Sequence, residues 1–389
     1  MKITDVKVYP VVTEITSARR ERVADARARV GWVFVEVNTD EGVTGYGECS
    51  NWPRKGDILV AKGIETLRDT LIGRDPSHIE AIWQELFRNY TYLGSRGYIT
   101  TLISGIDIAL WDIKGKALGR PIYDLLGGPV RGSIPLYTHP AYGDPKSMAE
   151  SSLEAVRDGY AAVKTDPFWE EMGKYHTARM SGYISRQGEK RGVDIIAAIR
   201  DAVGPDVEIM IDAHGHYDVA SAIRCARALE QFNLTWFEEP VPPEGYEALR
   251  QVRDSVNVPI CTGERFFTRW DFLPVLQNRL ADYLMIDVCW TGGITELKKV
   301  STMAETYYVN MSPHGAMGPL QLVAGAQVMM TVPNFFRLEN FHLWQKAFDS
   351  ALSAPLDIKQ GIMYLPDRPG LGYDLDMDFV KAHPDPQWK

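Results

Sequence analysis

The segment from Glu208 to Glu264 decides the fold, because one pattern occurs in it three times. Each repeat is a short β-rich run that ends at or within one residue of a carboxylate, and helical sequence separates the runs. The runs are Glu208–Ala213 (EIMIDA), Thr235–Glu239 (TWFEE) and Ile260–Gly263 (ICTG). Strands that alternate with helices indicate parallel strands joined by right-handed crossovers. The repeat therefore predicts an α/β domain that delivers polar side chains at one edge of its sheet.

The same alternation continues on both sides of this segment and yields eight strand–helix units. The predicted strands are Ile134–Thr138, Ala162–Asp166, Glu208–Ala213, Thr235–Glu239, Ile260–Gly263, Tyr283–Val288, Val309–Ser312 and Phe336–Glu339. Eight units over ~210 residues fit a closed barrel better than an open sheet. We therefore predict an α/β fold, a modified TIM-type (β/α)7β or (β/α)8 barrel.

The first third of the chain differs and predicts a separate α+β capping domain. Its predicted strands are Val6–Val12, Val33–Val37 and Val43–Glu48. Helical periodicity follows from about Ile58, and Gly127-Gly128-Pro129 then interrupts the chain. We expect one domain at residues 1–130, which we call the cap, a barrel domain at 131–354, and a C-terminal tail, 355–389, that packs back on the cap.

Composition excludes several classes of protein. Of the 389 residues, 45% are hydrophobic and 24% charged, which is typical of a globular protein, and 42 basic against 51 acidic residues give a net charge of −9. An acidic surface repels phosphate backbones, so we expect no nucleic-acid partner. The four cysteines are scattered, which favours reduced core residues. Without a long apolar run or a secretion signal, we expect a cytoplasmic protein with no membrane partner.

Three carboxylates follow consecutive predicted strands at a constant interval. Asp212, Glu238 and Glu264 are 26 residues apart (238 − 212 and 264 − 238), which is one strand–helix unit. Three such groups on neighbouring strand ends would repel one another without a cation, and oxygen ligands suit Mg²⁺. The alternative is that each carboxylate separately caps the helix that follows it. The regular interval favours the metal site.

Other strand ends carry groups suited to proton transfer. Asp287 and His314 lie one unit apart, so the aspartate can orient the histidine as a general base. Because side chains alternate between the faces of a strand, Lys164 shares a face with Asp166. Asp212 and His214 share a face in the same way. We expect these polar faces to converge on the mouth of the barrel.

Two segments between predicted elements are candidates for lids. Thr13–Val30 is either a solvated surface segment or a mobile lid whose positive charge attracts an anionic ligand. Its five arginines are Arg19, Arg20, Arg22, Arg27 and Arg29. The connection 167–192 is long, with the next helix predicted to start near Val193. It is a lid or, equally well supported, a surface excursion or oligomer contact.

With these motifs in place, the chain resembles the enolase superfamily and, within it, the mandelate racemase-like subgroup. The resemblance covers nearly the whole chain. It is carried by Ala109–Lys116 (ALWDIKGK), Trp236–Pro240 (WFEEP), Thr262–Arg265 (TGER), Gly292–Thr295 (GGIT) and Ser312–Gly315 (SPHG). The subgroup implies a capping domain, a modified barrel and a returning tail.

The resemblance also implies roles for individual residues. Asp212, Glu238 and Glu264 match the ligands of one Mg²⁺, and Asp287 with His314 matches the Asp–His dyad. Glu339 matches the carboxyl group that hydrogen-bonds the developing enediolate. Lys164 matches the first lysine of a Lys-x-Lys motif, but Asp166 replaces the second, and His214 stands in an Asp-x-His motif instead. This arrangement resembles the sugar-acid dehydratases, especially the D-galactonate dehydratase-like group.

The implied reaction is dehydration of a sugar acid. His314 would take the C2 proton of a 2,3-dihydroxy acid, and protonated His214 would protonate the departing C3 hydroxyl. The product would be a 2-keto-3-deoxy acid. The alternatives are an epimerase or cycloisomerase that acts through the same enediolate, and a non-catalytic sugar-acid-binding relative.

The substrate is expected to be a small anionic sugar acid enclosed by the cap. The candidate binding residues are Trp52, Arg54, Asp166, His216 and Glu264. Tyr183 and Arg186 are further candidates for contacts with sugar hydroxyl groups. Relatives of this kind form dimers or larger symmetric assemblies, so a homo-oligomer is expected.

Overall fold

A computed structural model describes residues 1–14, 29–51, 55–168, 181–315 and 317–388. The chain begins with a three-stranded antiparallel sheet of β1 (Ile3–Glu14), β2 (Arg29–Thr39) and β3 (Thr44–Glu48). All three strands were predicted, but β1 and β2 are longer than expected. Glu14 pairs with Arg29 in the ladder, so Arg29 belongs to β2 and not to a lid. Arg19, Arg20, Arg22 and Arg27 lie outside the described residues.

In the described residues, four helices follow this sheet: α1 (Lys55–Leu71), α2 (Ile79–Asn89), α3 (Tyr98–Leu118) and α4 (Ile122–Leu125). Helices α1 and α3 pack directly against the strands. Helix α3 ends at Gly119, whose φ of 63° lets its N–H reach the carbonyls of Gly115 and Lys116. Strand β3 lies directly against α3: a Cβ added to Gly47 would lie 2.0 Å from the carbonyl oxygen of Gly105. Glycine at this position therefore lets the cap core close.

Across the part of the chain that the structure describes, the barrel consists of eight parallel strands. They are β4 (Ile134–Thr138), β5 (Ala162–Thr165), β6 (Glu208–Asp212), β7 (Trp236–Glu238), β8 (Ile260–Thr262), β9 (Tyr283–Leu284), β10 (Asn310–Met311) and β11 (Leu338–Asn340). Strands β4 to β10 pair in chain order, and β11 pairs with β4. A bridge between Met311 and Phe335 joins the two ends of this sheet. The predicted barrel with an N-terminal cap is confirmed.

A helix follows each barrel strand. The helices are α5 (Pro145–Arg157), α6 (Arg186–Val203), α7 (Val219–Leu229), α8 (Tyr246–Arg253), α9 (Thr268–Gln277), α10 (Gly293–Thr306), α11 (Pro319–Met329) and α12 (Gln345–Ala351). The side chains of Asp144, Ser185 and Asp218 cap α5, α6 and α7 by accepting a backbone N–H three residues on. The start of α6 near Val193 was predicted wrongly, because Ser185 already supplies its cap.

Strand parity separates the two faces of the barrel wall. Met210, Trp236 and Met285 fill the barrel interior with Tyr137 and Cys261. Ile209, Ile211 and Phe237 point the other way and pack under the helices. Asp212 shares its parity with Met210, and Glu238 shares its parity with Trp236, so the wall directs these carboxylates inward. All four cysteines are buried and free, as predicted.

The tail contacts both larger parts of the molecule. It contains β12 (Ile358–Lys359), β13 (Ile362–Met363) and α13 (Met377–Ala382). Strand β13 pairs antiparallel with the start of β4 in the barrel. The N–H of Val12 in the cap donates to the carbonyl of His383. The division at residue 130 stays a prediction. Within the described ranges, no helix is long and apolar enough to cross a membrane.

Candidate active site

A cavity of about 950 Å³ lies at the carboxyl ends of the barrel strands, against the cap. The barrel contributes mainly ionisable and aromatic side chains to its wall, and the cap contributes the segment around Asn51 and the start of α3. The lining includes Asn51, Tyr98, Thr101, His139, Lys164, Asp212, His214, His216, Glu264, Arg265, Trp290, His314, Glu339 and Trp344. The cavity therefore places ionisable side chains of the barrel opposite a partly apolar roof that includes Leu59 and Val60 of the cap.

The structure brings Asp212, Glu238 and Glu264 together. Each offers a carboxylate oxygen within 4.8 Å of the others, and all three residues are buried. Burial and the neighbouring charge of Asp212 raise the pKa of Glu238 well above its usual range. This crowding of like charges is the signature expected of a site for a hard divalent cation.

Lys164 compensates part of this charge from the end of β5. Its Nζ lies 2.9 and 3.0 Å from the two oxygens of Glu238, 3.2 Å from Asp212 and 2.8 Å from Glu339. Burial opposes the charged form of Lys164, but the charges of Glu238 and Glu339 outweigh it and raise the pKa well above its usual range. Lys164 is thus a permanent cation at the centre of the site.

His314 and Asp287 form a buried pair across neighbouring strand ends. Nδ1 of His314 lies 2.5 Å from Oδ2 of Asp287. Nε2 of His314 lies 3.5 Å from carboxylate oxygens of both Glu264 and Glu339. Burial lowers the pKa of His314, but Glu339 and Glu264 outweigh it and raise the pKa to about 10. Asp287 fixes Nδ1, which leaves Nε2 as the reactive nitrogen.

His214 forms a second histidine–aspartate pair with Asp166. Its Nδ1 lies 3.1 Å from Oδ2 of Asp166, and its Nε2 lies 3.5 Å from Oδ2 of Asp212. His214 adopts a φ of 49°, and its N–H donates to Oδ1 of Asp212 at 2.8 Å, which fixes this left-handed turn. Burial lowers the pKa of His214, but Asp212 and Asp166 raise it to about 9. Asp166 does not line the cavity, so it is not the substrate contact that was predicted. It instead orients His214 through Nδ1.

Glu339 accepts hydrogen bonds from several directions. Oε1 lies 2.7 Å from Nε2 of His139 and 2.8 Å from Lys164, and Oε2 accepts the N–H of Gly315 at 3.1 Å. Burial would raise the pKa of Glu339, but Lys164 and His314 hold it well below its usual range. Glu339 is therefore an ionised acceptor in this arrangement.

Sequence reasoning missed His139. It follows β4 directly, is buried, and stacks on Phe341 with ring centroids 4.1 Å apart. Its position at the end of a barrel strand was the available signal, and strand ends had identified Asp212 and Glu264 on other strands. His139 is the contribution of the first barrel strand to the site.

The predicted substrate contacts have mixed outcomes. His216 lines the cavity, with its ring 5.9 Å from that of His214. Trp52 and Arg54 lie outside the described residues, although Asn51 beside them reaches the cavity wall. These two candidates stay predictions.

Tyr183 and Arg186 are placed away from the site. Tyr183 is 54% exposed, and the guanidinium of Arg224 lies over its ring. Arg186 pairs with Glu189 within α6 at 3.0 Å. Neither residue is part of the cavity wall. Of the connection 167–192, residues 169–180 lie outside the described residues.

The barrel, the cap and the carboxylate cluster define a class of protein. This chain belongs to the enolase superfamily, in its mandelate racemase and muconate lactonizing enzyme branch. The model of the mandelate racemase / muconate lactonizing enzyme N-terminal domain matches residues 4–127, and that of the enolase C-terminal domain-like family matches residues 147–379. The resemblance seen in the sequence motifs is confirmed.

Several curated proteins and solved structures are similar over nearly the whole chain. A D-galactonate dehydratase of Ralstonia pickettii is 34% identical, with 92% of this chain and 93% of the relative covered. A D-galactarolactone cycloisomerase of Agrobacterium fabrum is also 34% identical, with 93% of each chain covered. The crystal structure of a putative dehydratase from Zymomonas mobilis superposes with a TM-score of 0.89 at 32% identity, with 99% of this chain and 98% of that chain covered.

Proposed function

We propose that this protein is a Mg²⁺-dependent sugar-acid dehydratase, a hydro-lyase that removes water from an aldonate-type 2,3-dihydroxy acid. One observation carries the proposal: two histidines, each oriented by its own aspartate, follow β6 and β10. These strands lie four places apart in a ring of eight. His214 and His314 therefore face each other across the mouth, as an acid and a base on one substrate require. The D-galactonate dehydratase relative supports this reaction.

The carboxylate cluster fits a resident Mg²⁺. Its donors are all oxygens, they lie within 4.8 Å of one another, and Lys164 alone does not balance their charge. Asp212, Glu238 and Glu264 would hold the ion. When bound, it would stabilise the negative charge that develops on the substrate carboxylate. A divalent charge there also opposes proton binding by His314, which favours the neutral imidazole that a base requires.

The chain's own residues account for the proton movements. Neutral His314 accepts the C2 proton at Nε2, while Asp287 stabilises the imidazolium through Nδ1. His214 gives the proton on Nε2 to the C3 hydroxyl, the C3–O bond breaks, and water leaves. The enol that remains tautomerises to a 2-keto-3-deoxy acid. The resemblance assigned the hydrogen bond to the developing enediolate to Glu339. An ionised Glu339 can only accept, so we propose Nζ of Lys164, 2.8 Å from Oε1 of Glu339, as the donor instead.

Separating the two proton transfers tests the proposal. Wild-type protein with Mg²⁺ is expected to convert at least one member of a panel of sugar acids to a product that reacts with semicarbazide. His214→Ala is expected to lower dehydration by about 100- to 10,000-fold while exchange of the C2 proton with D₂O continues. His314→Ala is expected to lose both reactions. Exchange that persists in His314→Ala would refute the base assignment, and unchanged dehydration in His214→Ala would refute the acid assignment.

A cycloisomerase is the second candidate, because the relative from Agrobacterium fabrum carries that name at the same identity. The same base would form the enediolate, and the acid step would differ. Mass spectra of the product distinguish the two candidates, since dehydration lowers the mass of the substrate by one water and isomerisation leaves it unchanged. His216 and Arg265 line the cavity beside His214 and are our proposed contacts to the rest of the substrate.

A further inference from the structure

A buried hydrogen-bond chain joins the cap to the Asp287–His314 pair, and Gln321 of α11 is its central member. Gln321 is fully buried, and its Nε2 donates to Oδ2 of Asp287 at 2.6 Å. Its Oε1 accepts the N–H of Met317 at 2.6 Å and that of Gly318 at 3.4 Å. Because two N–H donors face Oε1, the amide orientation is determined, and Nε2 must face Asp287.

The carboxylate of Asp287 is held by three donors. Oδ1 accepts the N–H of Cys289 at 2.6 Å, which belongs to the same loop. Oδ2 accepts from Gln321 at 2.6 Å and from His314 at 2.5 Å. Gln321 is thus the side chain that fixes the second carboxylate oxygen independently of His314. Its removal frees the carboxylate to rotate out of the imidazole plane.

The cap holds Gln321 through Glu48, at the end of β3. Oε2 of Glu48 accepts the backbone N–H groups of Leu320 and Gln321 at 2.9 and 3.0 Å, in the first turn of α11. Glu48 is fully buried, and a Cβ added to Gly318 would lie 1.8 Å from its Oε1. This close approach shows that the start of α11 is shaped to receive a side chain of the cap.

A second contact of the cap reaches His314 by another route. Oγ of Ser50 donates to Glu48 at 2.5 Å, and the carbonyl of Ser50 accepts Nε1 of Trp290 at 2.7 Å. The ring of Trp290 lies 5.1 Å from that of His314 between centroids. Ser50 immediately precedes Asn51, which lines the cavity. The cap segment 48–51 therefore lines the cavity through Asn51 and also contacts Gln321 and Trp290, the two residues that reach the Asp287–His314 pair.

We propose that Gln321, anchored by Glu48 of the cap, is a positioning residue for the Asp287–His314 pair. The cap then completes the general base as well as enclosing the substrate. This inference rests on the proposed role of His314 as the base. Gln321 acts by keeping Oδ2 of Asp287 in line with Nδ1 of His314, and partners of this kind contribute about 10- to 100-fold to the activity of the group they orient.

The test compares two glutamines on one helix. Gln321→Met removes the donor to Asp287. Gln327→Met is the matched control, because Gln327 is equally buried in α11 and makes two bonds at 2.9 Å, to the N–H of Tyr123 and the carbonyl of Leu371. The first readout is the far-downfield proton NMR signal of His314 Nδ1–H in the full-length, Mg²⁺-loaded protein, assigned by its absence from Asp287→Asn. The second readout is the exchange rate of the C2 proton with solvent.

Gln321→Met is expected to shift or abolish the downfield signal and to slow C2 exchange about 10- to 100-fold, whereas Gln327→Met retains both. Glu48→Met is expected to weaken the signal, and Glu48→Gln, which keeps an acceptor oxygen, to retain it. If Gln321→Met does not fold, Gln321→Glu serves instead. That variant keeps the acceptor for Met317 and exchanges only the amide donor.

Three results would overturn the inference: no downfield signal in wild-type protein, a wild-type signal and exchange rate in Gln321→Met, or equal losses in Gln327→Met. The NMR readout needs no substrate. A wild-type protein that exchanges no sugar acid therefore counts against the proposed function alone, while the response of the signal to Gln321→Met still decides the positioning role.

Discussion

At the scale of single residues, the charge balance of the site depends on Lys164. It is 1% exposed and contacts three carboxylates, those of Asp212, Glu238 and Glu339. A buried cation whose removal leaves several buried anions without a partner is far more costly to lose than a surface charge. Lys164 therefore contributes both to the charge balance of the active site and to the stability of the fold.

Lys164→Met is expected to lower the free energy of unfolding by about 3–5 kcal/mol, measured by urea denaturation in EDTA. Lys190→Met is the control, because Lys190 is exposed and pairs with Asp194 on the surface of α6. Lys190→Met is expected to lower the free energy of unfolding by no more than about 1 kcal/mol. Equal effects of the two substitutions would show that Lys164 does not balance the site.

The predicted convergence of three carboxylates depended on one rule, the spacing of strand ends along the chain. The constant interval between strand ends located Asp212, Glu238 and Glu264, which the structure brings together. His139 and Gln321 were not predicted, because their contacts, with Glu339 200 positions away and with Asp287 34 positions away, do not follow the interval between strand ends. No local pattern distinguishes a buried glutamine that supports an aspartate from one that supports a backbone carbonyl.

At the scale of elements, the cap places a carboxylate at the start of two barrel helices. Glu48 accepts N–H groups of α11, and Asp107 of α3 accepts the N–H of Thr295 in α10 at 3.0 Å. Such side chains satisfy the unpaired donors of a helix N-terminus. Burial nevertheless raises the pKa of Asp107 to about 7, although the bonds from Thr295 lower it. The domain contact is therefore sensitive to pH.

A carboxyl group with a raised pKa binds its proton more tightly in the folded state. The stability contributed by protonated Asp107 is fully present below its ordinary pKa of 3.8 and is lost as the pH rises through about 7. As the pH rises from 5 to 8, the free energy of unfolding of Asp107→Asn is expected to rise by roughly 2–3 kcal/mol relative to that of the wild type, measured by urea denaturation. Asp201→Asn, at an exposed position of α6, is expected to show no such change. A pH-independent difference for Asp107→Asn would contradict this.

Element boundaries show the limits of local patterns. Strand β4 was predicted with its observed bounds, whereas β9 ends at Leu284 and the predicted strand continued to Val288. Beyond Leu284 the chain keeps only a bridge between Asp287 and His314. Met285, Ile286 and Val288 are buried apolar residues beyond the last ladder pair, so hydrophobicity does not mark where the strand ends.

At the scale of the whole molecule, the cap and the barrel share one buried polar system. Nε1 of Trp32 in β2 donates to the carbonyl of Met317 at 2.8 Å, and Nε1 of Trp83 in α2 donates to that of Gly292 at 2.8 Å. Together with Glu48 and Asp107, these contacts bind the cap to the loops around His314. Changes in the metal site should therefore be measurable in the stability of the complete chain.

Mg²⁺ is expected to raise the unfolding free energy, by about 2.7 kcal/mol when its concentration is 100 times its dissociation constant. The reason is that a folded cluster of three carboxylates binds the ion, and the unfolded chain does not assemble it. Differential scanning calorimetry with Mg²⁺ and with EDTA measures the shift. Glu264→Gln removes a proposed ligand and is expected to abolish most of the increase. Identical melting temperatures of wild type in both solutions would refute the metal site.

The sequence by itself determined the alternation of strands and helices, the parity of each strand and the set of strand-end side chains. These follow from backbone periodicity and from the constant length of a strand–helix unit. Only the tertiary structure decided that Lys164 lies among three carboxylates, that Asp166 supports His214, and that Glu48 and Gln321 connect the cap to Asp287. Those relations depend on the closure of the barrel and the docking of the cap, which bring together residues whose separation along the chain carries no signal.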